Sequence, residues 1–228
     1  VVLAEGRHER GATMMNRRGF FASLLGREPE TFFFGVQFVI ATLESDDTGN
    51  RLRRLIAESS TRNNGSEKPL EKRALYKQII AVVLENKPYW EYGYWDYLIE
   101  DNDTNTEDEF ESWVSEISAS MATEGEELGA DVDEIHRLSA DKGYIVVSMA
   151  FLLEYAPLES VHRLLEDMPE DEYWTMAGFT ELCEALRRID FEYALRDAVF
   201  IMPGNEDDGF SWEDLHSAGW DYLKPLSL

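Results

Sequence analysis

One stretch of acidic residues is spaced as in a calcium-binding loop. Asp101, Asp103 and Asn105 alternate along the chain, and such a loop uses alternate oxygen ligands to converge on one cation. The sixth position of the loop is Thr106, where a glycine is needed, and the twelfth is Ser112, where a bidentate glutamate is needed. The pattern therefore favours a solvated acidic loop over a calcium site.

The other residues that could act in catalysis or bind a metal show no working arrangement. The four histidines share no ligand spacing and are His8, His136, His162 and His216. With 46 carboxylates in the chain, acid–base pairs arise by chance, and no catalytic serine elbow, Walker loop or G-x-G-x-x-G motif accompanies them. We therefore expect no enzyme activity, cofactor or metal. A hydrolase or metal-dependent enzyme with an unrecognised site is the alternative.

A dense group of aromatic residues follows Pro88. It consists of Tyr89, Trp90, Tyr92, Tyr94, Trp95 and Tyr97. Tryptophan and tyrosine dominate the sites at which proteins hold one another. No helical or strand period explains the group, so we predict an aromatic turn with Trp90 in the core and Tyr94 or Trp95 exposed. The candidate partner-binding residues are Tyr92, Tyr94, Trp95 and Tyr97.

The charge of the 228-residue chain is strongly uneven. There are 46 acidic and 21 basic residues, for a net charge of -25. Residues 1–90 hold 14 basic and 11 acidic residues, whereas residues 91–228 hold 7 and 35. This balance argues against nucleic acid as a partner and is compatible with a basic protein. An acidic inhibitor or immunity-type protein that blocks a basic partner by charge mimicry is an alternative, and so is the generally acidic surface of a halophile.

Residues 1–30 are predicted to be an N-terminal extension with a short cationic amphipathic helix. Phe20, Phe21, Leu24 and Leu25 recur at helical spacing among arginines. Such a helix can pack on its own domain or dock on a partner or membrane, so peripheral membrane contact through residues 14–27 stays open. The longest apolar stretches are well short of the 18 or more residues that a transmembrane helix requires.

Residues 31–228 are predicted to form a single α+β domain. Strands are expected at residues 31–43, 144–153 and 193–202, which are rich in β-branched and aromatic residues. Amphipathic periods predict helices at residues 50–60, 70–86, 107–123, 131–139, 159–168 and 175–188, and Ser211 should cap a further short one. The sequence thus predicts a small three-stranded sheet with several amphipathic helices packed around it.

The only cysteine, Cys183, cannot form a disulfide within the chain and stands at helical spacing with Leu186. We interpret it as a buried apolar residue in a reducing compartment, and we expect a soluble, cytoplasmic protein.

Several short blocks of sequence resemble a known family. They are Gly35-Val-Gln-Phe-Val-Ile-Ala41, residues 52–57, Tyr76-Lys-Gln-Ile-Ile-Ala-Val-Val-Leu84, Pro88-Tyr-Trp-Glu-Tyr-Gly93 and Gly143-Tyr-Ile-Val-Val147, with Pro203, Asp208, Ser211 and Leu215 further on. In these blocks residues 31–228 resemble the uncharacterised family catalogued as domain of unknown function 1517, found in cyanobacteria and chloroplasts. The resemblance implies a domain without established catalysis, whose plant relatives are associated with chloroplast membranes and acclimation to changing light. Together these features predict a non-enzymatic, protein-binding or regulatory domain that acts through an aromatic patch and an acidic surface.

Overall fold

A five-stranded antiparallel sheet, with helices on both faces, organises the protein. The computed structural model describes residues 31–42, 47–63, 68–100, 103–129, 143–154, 160–204, 210–216 and 220–228. The strands are β1 (Thr31–Ala41), β2 (Trp90–Glu100), β3 (Tyr144–Glu154), β4 (Ala194–Met202) and β5 (Lys224–Pro225). Their order across the sheet is β4-β3-β1-β2-β5. The predicted α+β class is confirmed, and the predicted three-stranded sheet is wrong.

The helices follow the amphipathic periods of the sequence. They are α1 (Thr48–Asn63), α2 (Pro69–Glu85), α3 (Asp103–Gly129), α4 (Ser160–Asp167), α5 (Met176–Leu186) and α6 (Trp212–Leu215). Ser211 caps α6 as predicted, because its hydroxyl accepts a hydrogen bond from the Asp214 N–H at 3.2 Å. The helix predicted at residues 131–139 and the N-terminal extension lie outside the described residues.

The central strand explains the longest β-like run in the sequence. β1 pairs with β2 on one side and with β3 on the other, and all residues from Thr31 to Ile40 are buried. Both of its faces lie under helices, and apolar side chains predominate on both faces, with Thr31 and Gln37 as buried polar exceptions. This is the pattern of a strand covered on both sides.

The sequence analysis did not predict β2 and β5, for different reasons. In β2, aromatic or apolar residues occupy both faces, so no polar–apolar alternation marks the strand, and Pro88 and Gly93 suggest a turn instead. β5 is two residues long and ends at Pro225, which a sheet tolerates only at an edge. A strand that short leaves no periodic signal.

Each face of the sheet has its own apolar core. On what we call the α2 face, buried side chains of α1, α2, α4 and α5 pack on the sheet. On the α3 face, buried side chains of α3 and α6 do so, together with Phe210, Trp220 and Leu223. A strand glycine on each face permits a close approach of a helix to the sheet. A Cβ on Gly93 would lie 2.4 Å from the Phe179 ring of α5, and one on Gly35 would lie 2.7 Å from the Trp113 indole of α3.

Among the described helices, none is both long and apolar enough to pass through a membrane.

Candidate functional site

The four candidate residues all belong to β2, which divides them between the two faces of the sheet. The side chains of Tyr92 and Tyr94 pack against the core of the α3 face. Trp95 belongs to the core of the α2 face, and Tyr97 contacts Phe32 and Trp95 on that face. Because neighbouring residues of a strand point to opposite sides, the four side chains form no single flat patch. What they share is one edge of the sheet.

The two tryptophans of β2 are structural. Trp90 is 5% exposed, as predicted, and its Nε1–H donates to the Val83 carbonyl at 3.0 Å. Trp95 is 7% exposed and donates through Nε1–H to the Tyr173 carbonyl at 3.0 Å. The expectation that Tyr94 or Trp95 would be the exposed member is wrong, because residues 173 and 174 cover Trp95 and Tyr94 is half-buried.

Tyr97 is the exposed aromatic residue at this edge, with 41% of its surface accessible. Its ring lies 6.2 Å from that of Phe32 and 6.0 Å from that of Trp95, measured between centroids. These contacts hold one side of the ring against the core while the other side faces solvent. Such an anchored aromatic ring loses little freedom when a partner covers it.

The backbone of β2 is only partly paired on its outer side. There, β5 pairs with Tyr92 and Gly93, and the Glu91 carbonyl accepts from the Leu226 N–H at 2.9 Å. Because backbone groups alternate in direction along an antiparallel strand, Tyr97 and Ile99 also direct theirs away from β1. On that outer side, no strand pairs with these two residues in the part of the chain that the structure describes. The Tyr97 N–H donates instead to Oδ1 of Asp96 at 2.8 Å.

Carboxylates flank this edge on the α3 face. Asp96 of β2 lies close to Glu109 and Glu116, which are two turns apart on α3. Burial raises the pKa of Glu109 above its usual range, and the charges of Asp96 and Glu116 raise it further. The Tyr94 hydroxyl donates to Oδ2 of Asp96 at 3.3 Å, and burial followed by the neighbouring carboxylates raises the pKa of Tyr94. The local potential is therefore negative.

A second acidic flank lies on the α2 face. The 3-10 turn Glu170–Glu172 immediately precedes Tyr173, whose carbonyl holds the Trp95 indole. Glu170 and Asp171 are exposed. These carboxylates therefore lie within three residues of Tyr173, which contacts β2 through Trp95.

A second exposed aromatic group was missed by the sequence analysis. Trp212 of α6 is 54% exposed and stacks on His216, with ring centroids 3.9 Å apart. The His216 ring in turn lies edge-on to Tyr92 at 5.8 Å, and the Tyr92 hydroxyl is 3.5 Å from Nε2 of His216. The Ser211 cap was the available signal, because it places Trp212 at the start of a helix too short to bury it.

One charged pair lies inside the protein. Lys72 of α2 contacts Asp197 of β4, and the Tyr76 hydroxyl donates to Oδ2 of Asp197 at 3.1 Å. All three side chains are buried, which removes them from any substrate in solution. Cys183 is buried as predicted, and burial raises the pKa of its thiol far above the usual range, so it is not a reactive thiolate.

The acidic stretch that resembles a calcium loop begins outside the described residues, at Asp101. From Asp103 onward the chain is α3 and not a loop. Within the described stretches, no three His, Cys, Asp or Glu side chains are grouped so that they could hold a metal ion.

No family model, curated protein or solved structure matches this chain. The resemblance to domain of unknown function 1517 therefore stays a prediction.

Proposed function

We propose that this protein is a non-enzymatic binding module that holds a basic protein partner at the β2 edge. The proposal rests mainly on the position of Tyr97. This exposed aromatic side chain packs on the core at an incompletely paired edge of the sheet. Carboxylates flank that edge on both faces of the sheet. An aromatic anchor inside a charged rim is the usual anatomy of a protein-binding surface. We further infer a reducing compartment such as the cytoplasm, since the single thiol is buried and unpaired.

The test compares the proteins captured from native lysate by wild type and by two tyrosine variants. Tyr97→Ala removes the anchor, whereas Tyr89→Ala removes a tyrosine of similar exposure, 45%, at the opposite end of β2. We expect the Tyr97 variant to lose a basic protein that the other two retain, as identified by mass spectrometry. Equal capture by all three proteins would contradict the proposal.

Charge mimicry of nucleic acid is the second candidate, and α3 favours it. Between Asp103 and Gly129 this helix has acidic residues and no basic residue, and Glu107, Asp108 and Glu111 are exposed. A partner held by charge alone loses affinity steeply as salt rises, whereas one anchored on Tyr97 retains most of it. Measuring the captured complex at low and high ionic strength separates these two candidates.

A further inference from the structure

We propose that the outer edge of β2 at Tyr97 and Ile99 accepts an extended peptide rich in lysine and arginine as an added strand. The inference rests on the proposed function and specifies how the partner docks. Added strands gain affinity from backbone hydrogen bonds and specificity from the side chains on the two faces.

The backbone of this edge is suited to such pairing. Tyr97 and Ile99 follow the stretch of β2 that β5 already pairs, and their N–H and C=O groups point the same way as those of Gly93. In the absence of a peptide, the Asp96 carboxylate accepts the hydrogen bond from the Tyr97 N–H. A peptide carbonyl can take its place, which frees Asp96 to pair with a cationic side chain of the same peptide.

The negative charges around this edge favour a basic peptide. Alternate side chains of an added strand face opposite sides of the sheet. On one side lie Asp96 and Glu109. On the other side Tyr173 contacts Trp95, and the acidic Glu170–Glu172 turn directly precedes Tyr173. Basic side chains are therefore favoured on both faces of the added strand. An acidic segment, or the same edge of a second copy, is repelled.

The opposite edge of the sheet does not offer the same site. The residues of β4 from Asp197 to Met202 are all buried, and Asp197 points inward to Lys72. An inward charge on an edge strand is one of the devices that discourage strand addition. The two ends of the sheet are therefore not equivalent, and β2 is the accessible one.

The first experiment titrates the full chain with a short acetylated and amidated peptide that repeats Lys-Arg-Val. Its control is the same peptide with every internal amide N-methylated, which keeps the charge and removes the backbone donors. We expect the methylated peptide to bind about tenfold more weakly or worse, because several backbone hydrogen bonds are lost. Equal affinity would overturn the inference.

The second readout is amide hydrogen exchange measured by NMR. Peptide binding should slow exchange of the Ile99 N–H about tenfold or more and leave that of Leu98, which points to β1, unchanged. Protection confined to β4 or α6 would overturn the inference. Slow exchange at Ile99 in the free protein would do the same, and sedimentation would then show whether a second copy or another segment of this chain covers the edge.

A charge reversal locates the peptide independently of backbone pairing. Asp171→Lys reverses a charge two residues from Tyr173, which contacts Trp95 of β2, and its matched control, Glu192→Lys, reverses one just before β4. β2 and β4 are separated by three strand spacings, about 14 Å, which exceeds the screening length at physiological salt. We expect Asp171→Lys to weaken the unmethylated peptide severalfold more than Glu192→Lys. Equal effects would mean that the peptide reads only the total charge of the protein.

Failure of this inference and failure of the proposed function give different results. If both peptides bind alike while Tyr97→Ala still loses its partner from lysate, the partner docks through side chains without adding a strand. If Tyr97→Ala loses nothing from lysate, the proposed function fails as well.

Discussion

The two long strands nearest the edges of the sheet, β4 and β2, differ more than their similar positions suggest. In β4 every residue from Asp197 to Met202 is buried, whereas in β2 Tyr97 is exposed and Tyr94, Asp96 and Ile99 are half-buried. Arg53 of α1 reinforces the end of β4 by donating through Nε and Nη2 to the Pro203 carbonyl, at 3.1 and 2.9 Å. Strand order alone therefore does not identify an accessible edge, and the covering helices decide it.

The largest effect that tests this contrast is expected at the β4 edge. Lys72→Met leaves the buried Asp197 carboxylate without its cation, which should cost about 3–5 kcal/mol of unfolding free energy. Lys77→Met, on the exposed side of the same helix, is the control and should change stability little. Urea unfolding measures both. If both variants lose equally little unfolding free energy, the Lys72–Asp197 pair does not protect the β4 edge.

A smaller loss is expected where β2 meets α5. Gly93→Ala forces the added methyl group against the Phe179 ring and should cost about 1–3 kcal/mol by thermal or urea unfolding. In Gly49→Ala the new Cβ meets only side-chain ends of Ile145 and Arg53, at 3.0 and 3.1 Å, so the change should be milder. Similar losses in the two variants would show that the contact of β2 with α5 can relax.

Tyr97 should separate binding from stability. Tyr97→Ala is expected to lower the unfolding free energy by about 1 kcal/mol or less, because the side chain is 41% exposed and, among the described residues, its ring packs on those of Phe32 and Trp95. A melting curve recorded beside the binding assay checks this. A loss as large as that of a buried aromatic residue would make Tyr97 part of the core and leave β2 without its anchor.

The smallest effect comes from the acidic flank of β2 and depends on pH. The pKa of Glu109 is raised in the folded protein, so its protonated form is favoured there and its ionised form destabilises the fold. Glu109→Gln should therefore stabilise the protein at neutral pH, by less than about 1 kcal/mol because the site is partly solvated.

The gain from Glu109→Gln should shrink as the pH falls through the raised pKa and vanish below the ordinary value of 4.5, where the wild-type carboxyl is protonated in both states. Denaturant unfolding across this range measures the difference. The exposed Glu107→Gln on the same helix is the control. A gain that persists unchanged in acid would contradict repulsion as its cause.

Sequence patterns predicted most of the fold but little of the candidate site. β1, β3, β4 and the amphipathic helices have the apolar periods that their burial requires, so their positions were predictable. In β2 the aromatic content signalled binding, yet exposure depends on which distant residues cover each ring. Trp174 and Tyr173 cover Trp95 and leave Tyr97 open, and no local pattern encodes that difference.

The pairing of β2 with β5 also bears on how the protein folds. Tyr92 pairs with Pro225, so more than half of the chain lies between the two paired strands. The pairing involves the two residues of β5 alone. Closing a long loop costs entropy that so short a ladder repays slowly. We therefore expect β5 to join after the four longer strands have assembled, and folding rates to respond little to changes in β5 that speed unfolding.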